Sequence, residues 1–108
     1  MSRGDLIIVA APGDYEKPRP AVIVQSNAFP DSHASVVICP MTSGCVEADF
    51  RITVEPGPES GLRVRSQVMA DKPVTIRRER VGQCIGRLDA ANMARLNAAL
   101  ALVVGLAD

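Results

Sequence analysis

Tryptophan is absent from this chain of 108 residues, and Tyr15, Phe29 and Phe50 are its only aromatic side chains. A row of aromatic rings on which bases stack is therefore out of reach, which argues against an RNA-recognition-motif domain and a stacking OB-fold. The core must be aliphatic instead. Excess charge of either sign is also missing: 12 basic and 12 acidic residues cancel, so any contact with nucleic acid has to rest on local fields. Cys39, Cys45 and Cys84 are odd in number and show no CxxC spacing, a poor pattern for a disulfide framework or a zinc site. No long apolar run occurs. The N-terminal one stops at Pro12-Gly13, too short for a signal-peptide core or a membrane span. The expectation is a protein of the reducing cytoplasm with no membrane segment.

What is present is ordinary globular composition, 47% apolar and 22% charged, over a length that suits one domain spanning residues 1–108. The basic set is skewed to ten Arg against Lys17 and Lys72. Arg suits two-point contact with phosphate or carboxylate, although coding bias gives the same skew.

Asp5 to Ala11 reads as a buried strand closed by Pro12-Gly13-Asp14. A polar loop to Pro20 follows, carrying Tyr15, Glu16, Lys17 and Arg19. Ala21 to Ser26 is a continuous β-branched run, as in a strand covered on both faces, and Ser35 to Pro40 reads as a third strand ending at Pro40. Phe50 to Val54 alternates, with Phe50, Ile52 and Val54 opposite Arg51 and Thr53. Leu62 to Met69 alternates too, with Leu62, Val64, Ser66 and Val68 opposite Arg63, Arg65, Gln67 and Met69. Short strands are expected near Val74 to Arg77 and Val81 to Arg87.

The last twenty residues change character. Asp89 is a plausible N-cap for a helix in which Met93, Leu96, Leu100 and Val103 recur at helical spacing, with Gly105 as its stop. Past Ala98 the helix is apolar nearly all round, so more than one side needs cover. A small barrel covers one side and a second copy of the chain would cover the other. Several short strands followed by one helix predict a mainly β (α+β) fold, a small β-barrel with a C-terminal α-helix.

Four motifs occur in order: RGDLIIV from Arg3, RPAVIVQS from Arg19 to Ser26, CPMTS from Cys39 to Ser43, and IGRLDAANMARLNAALALVVGL from Ile85 to Leu106. Together they resemble the MazF/PemK family of toxin–antitoxin toxins across nearly the whole chain. The resemblance implies an SH3-like barrel of the CcdB/MazF/Kid type, homodimeric, acting as a sequence-specific endoribonuclease that needs no metal or cofactor. It implies cleavage of single-stranded RNA to leave a 2′,3′-cyclic phosphate and a 5′-hydroxyl. It also implies neutralisation by a cognate antitoxin whose acidic, disordered tail lies across the RNA groove.

Such chemistry needs a base for the 2′-hydroxyl proton, an acid for the departing 5′-oxygen, and cations for the added charge on phosphorus. By the resemblance Arg19, held between Pro18 and Pro20, is catalytic. Arginine gives up a proton with difficulty, so charge stabilisation is its expected main role. Thr42 matches the family's catalytic Thr, and its hydroxyl can hold a phosphate oxygen or orient the 2′-hydroxyl. Ser43 beside it is a supporting candidate, although Thr-Ser-Gly is also simple turn chemistry. Asp71 matches a family carboxylate that acts as base in the PemK/Kid branch, where an Arg two positions earlier assists. Here that earlier position is Met69, and the usual following Gln is Lys72. Lys72 either supplies the second cation or pairs with Asp71 on the surface. Lys17 and Tyr15, in the loop of Arg19, are candidate RNA contacts.

His33, the only histidine, falls in a loop outside the matched motifs and reads as solvated. Arg77, Arg78 and Arg80 read as a solvated turn rather than a track for a phosphate backbone. The alternatives are a CcdB-like poison of DNA gyrase and a catalytically silent antitoxin-binding barrel. The gyrase activity depends on the extreme C-terminus, typically with a Trp near the end, and this chain ends LVVGLAD without one.

Overall fold

The computed structural model describes residues 1–10, 18–106 and 108. Seven strands and one helix follow one another as β1 (Asp5–Val9), β2 (Arg19–Ile23), β3 (Ser35–Thr42), β4 (Arg51–Val54), β5 (Ser66–Met69), β6 (Val74–Arg77), β7 (Val81–Arg87) and α1 (Ala90–Val103). All pairings are antiparallel, in the order β4-β5-β3-β2-β1-β7, with β6 also on β3. The mainly β architecture with a C-terminal helix is the one expected from the sequence.

β3 is the shared strand. Along one edge it pairs with β2 from Ile38 to Pro40. Along the other it takes β6 from Ser35 to Ile38 and then β5 at Met41 and Thr42. Pro40, which has no N–H to donate, falls in the gap where one partner gives way to the next. Because side chains alternate, β3 feeds two cores. Val36 and Ile38 join Ile7, Val9, Ala21, Ile23 and Ile76 where the sheet curls on itself. Cys39 and Met41 face the other way, into a cluster with Leu6, Val22, Ile52, Val68, Leu96 and Ala99. A strand covered on both faces reads as a continuous apolar run, and this one does.

The helix is fixed at both ends. Asp89 Oδ1 accepts from the Asn92 amide at 2.7 Å, an N-cap. At the C-terminus the Leu106 amide reaches Ala101 O at 2.8 Å and the Gly105 amide reaches Leu102 O at 3.3 Å, the paired bonds of a Schellman motif. Gly105 takes the left-handed φ of 79° that this ending requires. Asn92, Leu96 and Ala99 form the buried stripe, at helical spacing. Leu102, Val103, Val104 and Leu106 remain exposed, Leu106 by 78%. Gly86, in the IGRL motif, lies so close to the Glu59–Ser60 backbone that a Cβ there would collide with it.

Two expectations need correction. Leu62 to Arg65 is not strand, since β5 begins only at Ser66. The β4–β5 register ends at Val54 opposite Ser66, and beyond Val54 the partner segment carries Pro56 and Pro58, which lack the N–H groups a ladder needs. Val64 is consequently exposed. The Arg77–Arg80 segment is more than a solvated turn. Arg78 Nε donates to His33 O at 2.6 Å and Arg80 reaches Ala10 O at 3.4 Å, so the 3₁₀ turn Arg78–Arg80 staples the β6–β7 corner to neighbouring loops.

Two outcomes follow from this packing. Leu96→Ala empties a fully buried position and should cost about 2–5 kcal/mol of unfolding free energy, read from urea midpoints. Cys39 is buried whereas Cys45 and Cys84 are exposed, and burial pushes the Cys39 thiol up to about 11. A thiol reagent at neutral pH should label Cys45 and Cys84 quickly and Cys39 only on unfolding. Rapid labelling of all three would refute the packing described.

Candidate active site

Arg19 opens β2, paired across the ladder with Val9. The β2–β3 register runs Ala21↔Pro40, Val22↔Cys39 and Ile23↔Ile38. The ladder ends at Ala21↔Pro40, and Arg19 and Thr42 each lie two residues beyond that last pair. Both lie on the face that carries Ala21 and Ile38, at the end where that face opens to solvent. Thr42 in turn pairs with Gln67 on β5, and Gln67 with Thr53 on β4. Residues paired directly across antiparallel strands share a face. A polar row therefore crosses the sheet, Arg19–Thr42–Gln67–Thr53, with its reverse side forming the core under α1.

The Thr42 hydroxyl accepts from the Gly44 amide at 3.0 Å, so the turn chemistry read from Thr-Ser-Gly is real. As an acceptor there, the hydroxyl keeps its own hydrogen to give to a phosphate oxygen. Ser43 is exposed in the same turn. Arg19 is exposed at the mouth of the row. Lys17 and Tyr15, expected to touch RNA, lie outside the described residues.

Asp71 is on the same side of the sheet, four residues along from Gln67, a distance on the order of 13 Å at strand rise. It faces Arg51 rather than Lys72. Arg51 Nε donates to Asp71 Oδ1 at 2.9 Å and a terminal nitrogen donates to Oδ2 at 3.3 Å, a two-point ion pair. That hydrogen bonding from Arg51 holds the Asp71 carboxyl below its ordinary range. A carboxylate so held is charged at neutral pH but has little appetite for a proton. Lys72 is exposed, its amide bonded to Met69 O at 3.0 Å in the turn.

Two residues of this face escaped the sequence reading. Arg51 stands directly opposite Met69 in the β4–β5 register, so the strand neighbour carries the guanidinium that position 69 lacks. Its signal was the polar phase of the Phe50 to Val54 alternation. Gln67 was assigned the polar side of β5, correctly, but that side is covered and Gln67 is only 5% exposed. Its amide accepts from Val46 N at 2.9 Å and donates to Val46 O at 2.8 Å and Thr53 Oγ1 at 3.1 Å. It thus clamps the β3–β4 connection onto the sheet. His33 is exposed, edge-on to the Phe29 ring at 5.0 Å, and the loop holding it belongs to no part of this row. Among the described residues no three His, Cys, Asp or Glu side chains gather as metal ligands would.

Comparison with known proteins identifies the family and the fold. A relative from Mycolicibacterium smegmatis, named a probable endoribonuclease MazF, is 40% identical over 109 residues, covering 99% of each chain. A solved mycobacterial endoribonuclease in complex with its cognate antitoxin superposes with a TM-score of 0.82 at 25% identity, over 98% of this chain and 96% of that one. The fold is also that of the Mycobacterium tuberculosis toxin MazF-mt6, with a TM-score of 0.81 at 22% identity over 94% of this chain and 96% of that one. The family model for the PemK-like, MazF-like toxins of type II toxin–antitoxin systems matches residues 2–104, and the chain belongs to that family.

Proposed function

We propose that this toxin is an endoribonuclease that cuts single-stranded RNA without a metal ion, by attack of a 2′-hydroxyl on the adjacent phosphate. The bond from the 2′-oxygen to phosphorus forms as the 2′-hydroxyl gives up its proton, and the bond to the 5′-oxygen breaks as that oxygen takes one up, leaving a 2′,3′-cyclic phosphate and a 5′-hydroxyl end. What supports this reading is that Arg19 on β2 and Thr42 on β3 each lie two residues beyond the last β2–β3 pair, Ala21↔Pro40. A cation and a hydroxyl donor at one end of a polar row suit the phosphate whose negative charge grows as the 2′-oxygen adds. In this reading Arg19 stabilises that charge and Thr42 holds a phosphate oxygen or orients the 2′-hydroxyl. Ser43 and Lys72 lend further donors, and Lys17 and Tyr15 touch the RNA beside Arg19. Asp71 contributes through its ion pair.

The partners follow from the same reading. A cognate antitoxin with an acidic, disordered tail competes with RNA for the polar row, its carboxylates taking the place of phosphates. A homodimer covers the exposed end of α1 at Leu102, Val103 and Leu106, as buried apolar surface rewards. Action on messenger RNA implies the cytoplasm, where exposed Cys45 and Cys84 stay reduced.

Two measurements test the proposal. Wild-type protein incubated with long single-stranded RNA in EDTA should leave cyclic-phosphate ends, and Arg19→Ala should lower kcat/KM by roughly a hundredfold or more. Uncut RNA, or undiminished cutting by Arg19→Ala, would overturn it. In sedimentation the wild type should run as a dimer at micromolar concentration, and Leu102→Glu should shift it towards monomer. A monomeric wild type would remove the dimer from the scheme.

A further inference from the structure

Over the Gln67–Thr53 end of the polar row, the segment from Cys45 to Asp49 forms an arch that borders an open cleft of about 450 Å³. Gln67 builds the arch by bonding both backbone groups of Val46. Arg51, Thr53 and Arg65 line the cleft together with Glu47 and Asp49, both of which are exposed. The cleft lies two strands from Thr42, on the order of 10 Å across the sheet. A single strand of RNA held at Thr42 would therefore bring a flanking nucleotide to it.

Arg51 is unusual among the arginines described. Its side chain is only 13% exposed, and its Nε edge is committed to both oxygens of Asp71. Among the described residues its other N–H groups take no hydrogen-bond partner, and Arg51 lines the cleft. Donors fixed in this way select by geometry. The charges around the opening weigh against a phosphate, because Glu47 and Asp49 would repel it. The same carboxylates suit a heterocycle that carries donors as well as acceptors.

We propose that this cleft receives a guanine base of the RNA next to the cleaved bond, with the outer N–H pair of Arg51 on guanine O6 and N7. Asp71 is then a positioning residue that aims Arg51. Guanine presents two adjacent acceptors to a guanidinium fork, and its N1–H and amino group find acceptors in Glu47 or Asp49. The inference rests on the endoribonuclease reading above and supplies one element of its sequence preference.

The test is cleavage kinetics on short oligoribonucleotides that carry each base in turn at positions flanking the cut, with 7-deazaguanosine at the favoured one. Wild type should prefer guanine at one flanking position, losing about tenfold in kcat/KM with adenine or 7-deazaguanine there. Arg51→Lys keeps the charge but not the fork. It should lose a similar factor on the guanine substrate and no longer sense the 7-deaza change. Asp71→Asn should weaken discrimination while leaving the shape of the pH–rate profile intact.

Several results would overturn the inference. One is the absence of any flanking guanine preference, and another is an unaltered preference in Arg51→Lys. Uniform weakening on every substrate with a shallower salt dependence would make Arg51 a phosphate contact. Loss of the acidic limb in Asp71→Asn would make Asp71 a proton acceptor. Should Arg51→Lys melt below the assay temperature, the 7-deaza comparison on wild type decides alone. A wild type that cuts none of the RNAs defeats the function itself, a result distinct from all of these.

Discussion

Everything in this molecule turns on one strand that serves two sheets. β3 hands its free edge from β6 to β5 around Pro40, while its other edge stays with β2. That exchange lets an eight-residue strand support both the core inside the curled sheet and the core beneath the helix. It also decides where the proposed site lies. Thr42 is the last residue of β3, where the inward face of the curled sheet runs out and a polar side chain can meet solvent. Gln67 pairs with it from β5, and Arg19 lies two residues past the last β2–β3 pair.

Polar groups at part-buried positions give the site its rigidity. A buried amide without partners would cost about 1–3 kcal/mol, and Gln67 avoids this with bonds to both sides of Val46 and to Thr53. The connection above β4 thereby gains a fixed position that its own sequence, short of apolar anchors, could not give it. Arg51 and Asp71 do the same at the other end of the cleft. Their two-point geometry and limited exposure set them apart from exposed pairs such as Arg65 with Glu55 at 3.2 Å, which solvent screens and side-chain entropy weakens. The zero net charge of the chain therefore hides a local order in which each arginine acts through its placement. Arg78 and Arg80 act as staples, Arg51 is a fixed donor, and Arg19 stands at the open end of the row.

The sequence by itself determined the architecture. A two-sided apolar run marked β2, a short apolar run ending at Pro40 marked β3, alternation marked β4, and Asp89 with Gly105 bounded the helix, because these signals arise from backbone sterics and burial that act locally. It also marked Arg19 and Thr42, through motifs in matching order. Only the tertiary structure decided what those residues stand beside. Alternation states which side of a strand a residue takes but not what covers that side, so it placed Gln67 beside Arg65 and Met69 without showing its burial, and Leu62 to Arg65 read as strand. Asp71 found its partner twenty residues away in sequence, in Arg51 on the neighbouring strand. Spacing along the chain cannot supply such a pairing, because it is the register between strands that brings the two side chains together.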